Sequence, residues 1–188
     1  DLNVETASVD GKVTFGKRSP SEARLDVTFF EIHFRSERTG QHQTVSVDEL
    51  TGRFDTTLYH GTYTVVVRAV TSSTSRRSND RFSWRVADEW TVEGDSNLEA
   101  KLPALRKLTG TTTAGGEQLR AGEGPRAELI FVHETDEGRF HRVDVGLGSN
   151  GPASFDARLL ERPYDVFLWT GREVDQGQFP PVSAIRLR

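Results

Sequence analysis

Alternation of apolar and polar residues recurs along most of the chain, and a period of two places successive side chains on opposite faces of a strand. Val9-Asp10-Gly11-Lys12-Val13-Thr14-Phe15 opens the series. Leu25 to Ile32 and Ala127 to Val132 are denser in β-branched and aromatic residues and predict central strands. Each is followed by turn residues, Arg38-Thr39-Gly40 and Asp136-Glu137-Gly138, and then by an alternating return at Val45-Ser46-Val47 and Val143-Asp144-Val145. Both segments therefore read as hairpins. Further strands are predicted at Arg81 to Val86, Leu98 to Leu102, Leu108 to Thr113 and Val182 to Leu187. The polar run from Thr71 to Asp80, dense in Ser and Arg, reads as a loop. No segment predicts a helix of ten or more residues, although Leu98 to Leu108 carries a weak helical alternative of a turn or two.

The pattern is duplicated. Gly52 to Val67 lies over Ala153 to Leu168 at a constant offset, with Phe54 on Phe155, Asp55 on Asp156, Leu58 on Leu159, Tyr63 on Tyr164, Val65 on Val166 and Val67 on Leu168. Upstream, Val9-Asp10-Gly11 matches Leu108-Thr109-Gly110. A repeat of this size marks a folding unit. The expected fold is all-β: two tandem antiparallel Greek-key β-sandwich domains of about seven strands each. Their expected boundaries are residues 1–104 and 105–188.

The stretch Gly-x-Phe-x-x-x-Leu-x-x-Gly-x-Tyr-x-Val-x-Val, here Gly52 through Val67, resembles the repeat of transthyretin-like, carboxypeptidase-regulatory-like (prealbumin-type, Ig-like) domains. On this reading Phe54 and Leu58 point into the core, Gly61 makes the turn, and Tyr63, Val65 and Val67 line one face of the next strand. The second copy departs from it, with Ala153 for the first Gly and Arg162-Pro163 for Gly61-Thr62. The resemblance covers nearly the whole chain and implies a scaffold or binding module rather than a reaction. It carries over no functional residue, because these are core and turn positions.

Composition narrows the function classes. At 188 residues, 35% hydrophobic and 28% charged, the chain can build compact cores but offers no run approaching the roughly 18 apolar residues of a membrane helix. A net charge of -4, with Lys and Arg scattered among Asp and Glu, makes nucleic acid an unexpected partner. There is no Cys, so disulfides, thiolate nucleophiles and cysteine metal centres are excluded. There is also no Met, and the reading expects a segment ahead of Asp1, such as a signal peptide, a lipoprotein leader carrying a lipid anchor, or a further domain.

Candidate chemistry is sparse. His33 with His42, and His133 with His141, fall in the two hairpins and could face each other across strands, with Glu31, Glu134 or Asp136 nearby. Two imidazoles without a third ligand at fixed spacing do not make a metal site on sequence grounds, so no metal, cofactor or catalytic residue is assigned. The Ser-rich stretch from Ser72 to Ser78 lacks a nucleophile elbow, and Asp88-Glu89 reads as a solvated turn. Trp84 and Trp169 are expected in the core or as a cover on its open end. Trp90, among Asp88, Glu89 and Glu93, is expected to be exposed, and Trp90, Arg76 and Arg77 are the candidate contact residues. Lys12, Glu31 and Asn97 supply the ingredients of an intramolecular Lys–Asn isopeptide bond in the first unit.

The functional expectation is a non-catalytic, exported or envelope-associated bacterial module, periplasmic, outer-membrane-anchored or on the cell surface, that binds protein or glycan. Loops 71–82 and 114–126 and the edge strands are its expected contact surfaces. The competing expectation is an accessory domain pair of a larger secreted enzyme, such as a peptidase or glycoside hydrolase.

Overall fold

A computed structural model describes residues 5–25, 29–70, 78–111, 113–114, 117–118, 127–136, 138–147, 154–169 and 185–187. The strands are β1 (Thr6–Phe15), β2 (Phe29–Arg35), β3 (His42–Ser46), β4 (Arg53–Tyr59), β5 (Gly61–Val70), β6 (Ser78–Val92), β7 (Ser96–Leu102) and β8 (Leu105–Thr111). They continue with β9 (Thr113–Ala114), β10 (Glu117–Gln118), β11 (Ala127–Thr135), β12 (Arg139–Leu147), β13 (Ser154–Leu160), β14 (Asp165–Trp169) and β15 (Ile185–Leu187). One short helix, α1 (Pro20–Ala23), interrupts them. The fold is an all-β sandwich whose sheets do not close into a barrel.

Alternation determines which face each strand buries. In β1, Ala7, Val9, Val13 and Phe15 are buried between exposed neighbours, and Phe54 and Leu58 of β4 join them, as do Leu98, Ala100 and Leu102 of β7. Opposite this β4-β1-β7 layer stand Phe30, Ile32 and Phe34 of β2, Tyr63, Val65 and Val67 of β5, and Phe82 and Trp84 of β6. All belong to one continuous core. Burying each large apolar side chain is worth about 1.5–3 kcal/mol, so this layer contact dominates the stability of the first half. A second, smaller core gathers Phe131, Val143, Val145 and Ala157, with Leu129, Phe155, Leu159, Tyr164, Val166 and Leu168 half-buried around it. β4 and β13 carry matching Phe and Leu residues, while Tyr63 and Val65 lie in β5 and their counterparts fall as Tyr164 just before β14 and Val166 within it. Strand pairing is antiparallel except between β1 and β7, which run parallel.

One sheet runs through both halves, with strand order β15-β14-β11-β12-β6-β5-β2-β3. Its centre is the antiparallel pair β6–β12, in register from Arg139 opposite Trp84 to Val145 opposite Ser78. This corrects the expected loop from Thr71 to Asp80, because Ser78 to Asp80 already belong to β6. A polar segment can be a strand when a distant strand satisfies its backbone groups, and local composition does not reveal that partner. Arg76 and Arg77 lie outside the described residues. The expected 114–126 loop is likewise shortened: β9 and β10 pair, Glu117 opposite Ala114, and the remainder lies outside the described residues.

One local reading also changes. The predicted helical alternative from Leu98 to Leu108 is strand, as β7 and β8 on either side of Pro103-Ala104. The helix that does form, α1, is a single capped turn: Ser19 N–H donates to Glu22 Oε2 at 2.8 Å and Glu22 N–H to Ser19 Oγ at 3.3 Å. Ser-Pro-Ser-Glu is a capping-box sequence followed by too few residues to register as a periodic helix.

Gly61, expected to make the turn of the repeat motif, has no positive φ, and a side chain there would meet nothing closer than the Tyr63 ring at 3.7 Å. The demanding glycine is Gly52, at φ +77 with a hypothetical Cβ only 2.2 Å from the Val13 carbonyl oxygen.

Candidate functional site

The outer face of the β2–β3 hairpin carries the densest polar cluster predicted from sequence. Because Phe30, Ile32 and Phe34 point inward, Glu31, His33 and Arg35 point outward, opposite Ser46, Thr44 and His42 respectively. The His33 and His42 rings stack at 5.4 Å between centroids and 23° between planes. Nδ1 of His33 lies 3.2 Å from Nε2 of His42 and 3.2 Å from Thr44 Oγ1. Its other nitrogen, Nε2, is shielded from water and faces Glu31 Oε2 at 3.3 Å without the alignment of a hydrogen bond. Burial, then the charge of Arg68, then His42 hold the His33 imidazolium below the ordinary histidine range. Among the described residues, no three His, Asp or Glu side chains converge on one metal position.

The second histidine pair is not the structural counterpart of the first. His133 and His141 are direct cross-strand partners, as predicted, but they lie on the inner face. His133 stacks on Trp84 at 5.7 Å and bonds through Nδ1 to the Pro163 carbonyl at 2.9 Å. His141 is fully buried, with Nδ1 2.5 Å from the Tyr164 hydroxyl and its ring edge-on to Phe82. Register explains the difference. Ile32 and Leu129 sit opposite Val67 and Leu168, the matched pair of the repeat, so β2 maps onto β11 with an offset of 97, whereas His33 to His133 is 100. An odd displacement moves a side chain to the other face of a sheet. The true counterpart of the Tyr164–His141 contact is Tyr63, whose hydroxyl reaches Gln41 Oε1 at 2.9 Å and the Tyr59 carbonyl at 2.8 Å.

β3 is an edge strand among the described residues. Val47 N–H donates inward to the Phe30 carbonyl, and the Gln41 carbonyl accepts inward from Ser36 N–H, both at 2.9 Å. Backbone groups alternate along an antiparallel strand, so those of His42, Thr44 and Ser46 face away from β2. The strand His-Gln-Thr-Val-Ser has no Lys, Asp, Glu or Pro, the residues that ordinarily protect an edge from pairing.

Around the other end of β5 and β6, a cleft of about 390 Å³ is lined by Glu37, Arg38, Thr62, Tyr63, Thr64, Asp88, Glu89 and Thr91. Asp88 and Glu89 sit where the β5–β6 register slips, and Asp88 pairs with Arg85 at 2.9 Å. Trp90 follows this irregularity and pairs with the inward Tyr63, which turns its ring inward against Phe34 at 5.8 Å. The acidic neighbours predicted an exposed ring; it is half-buried. Trp84 is in the core, as expected, and Trp169 is half-buried.

The isopeptide ingredients are not brought together. Lys12 and Asn97 are exposed on the outer face of the β4-β1-β7 layer, where Asn97 Nδ2 donates to Asp10 at 2.5 Å. Glu31 lies on the outer face of the opposite sheet. Composition counts ingredients, but only the two-layer arrangement determines whether they meet.

No family model matches the sequence, and no curated protein matches it. Solved structures give distant likenesses. A candidate adhesin from Bacteroides ovatus aligns with a TM-score of 0.43 at 12% identity, over 87% of this chain and 77% of that one. A DUF3823 family protein from Parabacteroides merdae gives 0.31 at 12%, over 89% and 92%. A streptococcal ancillary pilin gives 0.33 at 13%, over 100% and 59%. These likenesses go no further than β-sandwich architecture, and the functional reading rests on the chain's own geometry.

Proposed function

We propose that this chain is a non-catalytic structural and binding module of the bacterial cell exterior, made of two sandwich units, residues 1–104 and 105–188, that engage a protein or glycan. The observation that supports this reading is the β6–β12 pair. It continues one hydrogen-bonded ladder from the first unit into the second, so neither half can rotate against the other without breaking several backbone bonds at once. A stiff tandem suits a module that holds a binding surface at a distance or carries load. The unprotected edge of β3 offers main-chain partners for strand addition. The cleft beside Asp88 and Glu89, rich in hydroxyls and carboxylates, offers the hydrogen-bonding groups a polyhydroxylated ligand requires. Trp90, Arg76 and Arg77 belong to this reading as contact residues.

The test is location, then ligand. Fractionation of the source cells, with protease added to intact cells, should recover the protein in the envelope or on the surface; recovery in the cytosol would overturn the export reading. A glycan array with purified chain should then show binding that falls in Asp88→Asn and Glu89→Gln if the cleft is the glycan site. Binding unchanged by both substitutions would remove the cleft from the proposal.

A further inference from the structure

The β2–β3 hairpin places two imidazole nitrogens where one borderline divalent cation would hold them. Two nitrogens bound to a tetrahedral zinc at its usual ~2.0–2.1 Å stand roughly 3.3 Å apart, and Nδ1 of His33 is 3.2 Å from Nε2 of His42. Thr44 Oγ1, 3.2 Å from the same Nδ1, adds a hydroxyl beside the pair. On the far side of His33, Glu31 Oε2 stands 3.3 Å from the solvent-shielded Nε2. This is the arrangement by which metal-ligating histidines are oriented: one nitrogen toward the ion and the other toward a carboxylate.

We propose that His33 Nδ1 and His42 Nε2 chelate a single Zn²⁺, Cu²⁺ or Ni²⁺ on the outer face of the edge hairpin, with Glu31 as a positioning residue and water completing the coordination. Imidazole donors favour these ions over Ca²⁺ and Mg²⁺, which take oxygen ligands. No net proton change is needed when both rings are neutral. The cation replaces the N–H···N hydrogen bond between the rings, and the His33 proton resides on Nε2, with the Glu31 carboxylate 3.3 Å away. The two strands are then tied at their outer face by a coordinate link in place of a hydrogen bond. The proposal is independent of where the protein resides and of what it binds elsewhere.

Titration of the full chain with Zn²⁺ tests it, read by calorimetry and by the ¹⁵N resonances of the imidazoles. The expected result is one Zn²⁺ per chain, with the His33 and His42 resonances moving together. His42→Gln, at an exposed position, should abolish binding with the fold unchanged, and Glu31→Gln should weaken it by about tenfold. His60→Gln, at the turn between β4 and β5 where His60 Nδ1 lies 3.1 Å from Glu5 Oε2, should leave binding intact. Unchanged stoichiometry and affinity in His42→Gln, or His33 and His42 resonances unmoved at saturating Zn²⁺, would overturn the assignment.

Discussion

Gly11 of β1 lies directly opposite Phe54 of β4, and the Phe54 ring fills the space that a side chain at Gly11 would need: a Cβ there would stand 2.4 Å from Phe54 Cζ. The relationship is repeated. Gly110 lies opposite Phe155, and a Cβ at Gly110 would also stand 2.4 Å from that ring. An aromatic ring laid over a cross-strand glycine covers backbone that would otherwise be bare and pins the register of the pair. The two copies differ in one respect, because a Cβ at Gly11 would also stand 2.4 Å from the Leu98 carbonyl oxygen, whereas the three atoms nearest a Cβ at Gly110 all belong to Phe155.

That difference predicts unequal rescue. Gly11→Ala and Gly110→Ala should each destabilise by about 1–3 kcal/mol through overpacking. Adding Phe155→Leu should recover part of the Gly110→Ala loss, and adding Phe54→Leu should recover less of the Gly11→Ala loss, since the backbone contact remains. Denaturant unfolding of the two double-mutant cycles measures this, and equal coupling in both would contradict the geometry.

Gly52 and Gly61 of the repeat motif should separate cleanly. Gly52→Ala combines a left-handed backbone with a contact on the Val13 carbonyl, and should cost more than the ~1–2 kcal/mol of the backbone conformation alone. Gly40→Ala, at φ +70 with open space around it, should cost about that amount. Gly61→Ala should be close to neutral. Thermal unfolding of the three variants ranks them.

Proline distinguishes the two sides of β3. Thr44→Pro removes an amide that faces away from β2, and should fold normally. Val45→Pro removes one that faces β2 and should destabilise by about 1–3 kcal/mol. Amide exchange in β2 reports the difference. If β3 serves strand addition, Thr44→Pro should also lose partner binding that the parent chain shows.

The shared sheet predicts coupled unfolding. Trp84 is buried in the larger core while stacking on His133 and lying under the Arg139 guanidinium at 5.9 Å. Trp84→Ala should therefore cost about 3–5 kcal/mol and raise amide exchange in β12 as well as β5. Loss confined to β5 would show that the two halves unfold independently.

Acid should loosen the turn between β3 and β4. Asp48 accepts from the Thr51 hydroxyl and amide, both at 2.7 Å, and from the Leu50 amide at 3.1 Å. The Thr51 hydroxyl, then its amide, hold the Asp48 carboxyl below its ordinary 3.8. A carboxylate lowered by folding stabilises above its unfolded value, and that contribution is lost as pH falls through the lowered one. NMR titration should give an Asp48 midpoint below 3.8, and Asp48→Asn should abolish the acid-dependent change at Thr51 and Gly52.

Local pattern was enough to determine the all-β class and most strand positions, because a period-two alternation and a Phe, Leu, Tyr, Val spacing record which side chains face a core. Phe54 and Tyr63 are buried, as that spacing predicts, whereas Phe155 and Tyr164 are only half-buried at the border of the smaller core. The pairing of β6 with β12 was decided only in three dimensions. Backbone hydrogen bonds carry no residue identity, so the polar residues at the start of β6 gave no sign of their partner. The face of each histidine was likewise decided by register: His33 and His42 meet on the outside, His133 and His141 inside, and a displacement of a few residues, invisible as composition, turns one arrangement into the other.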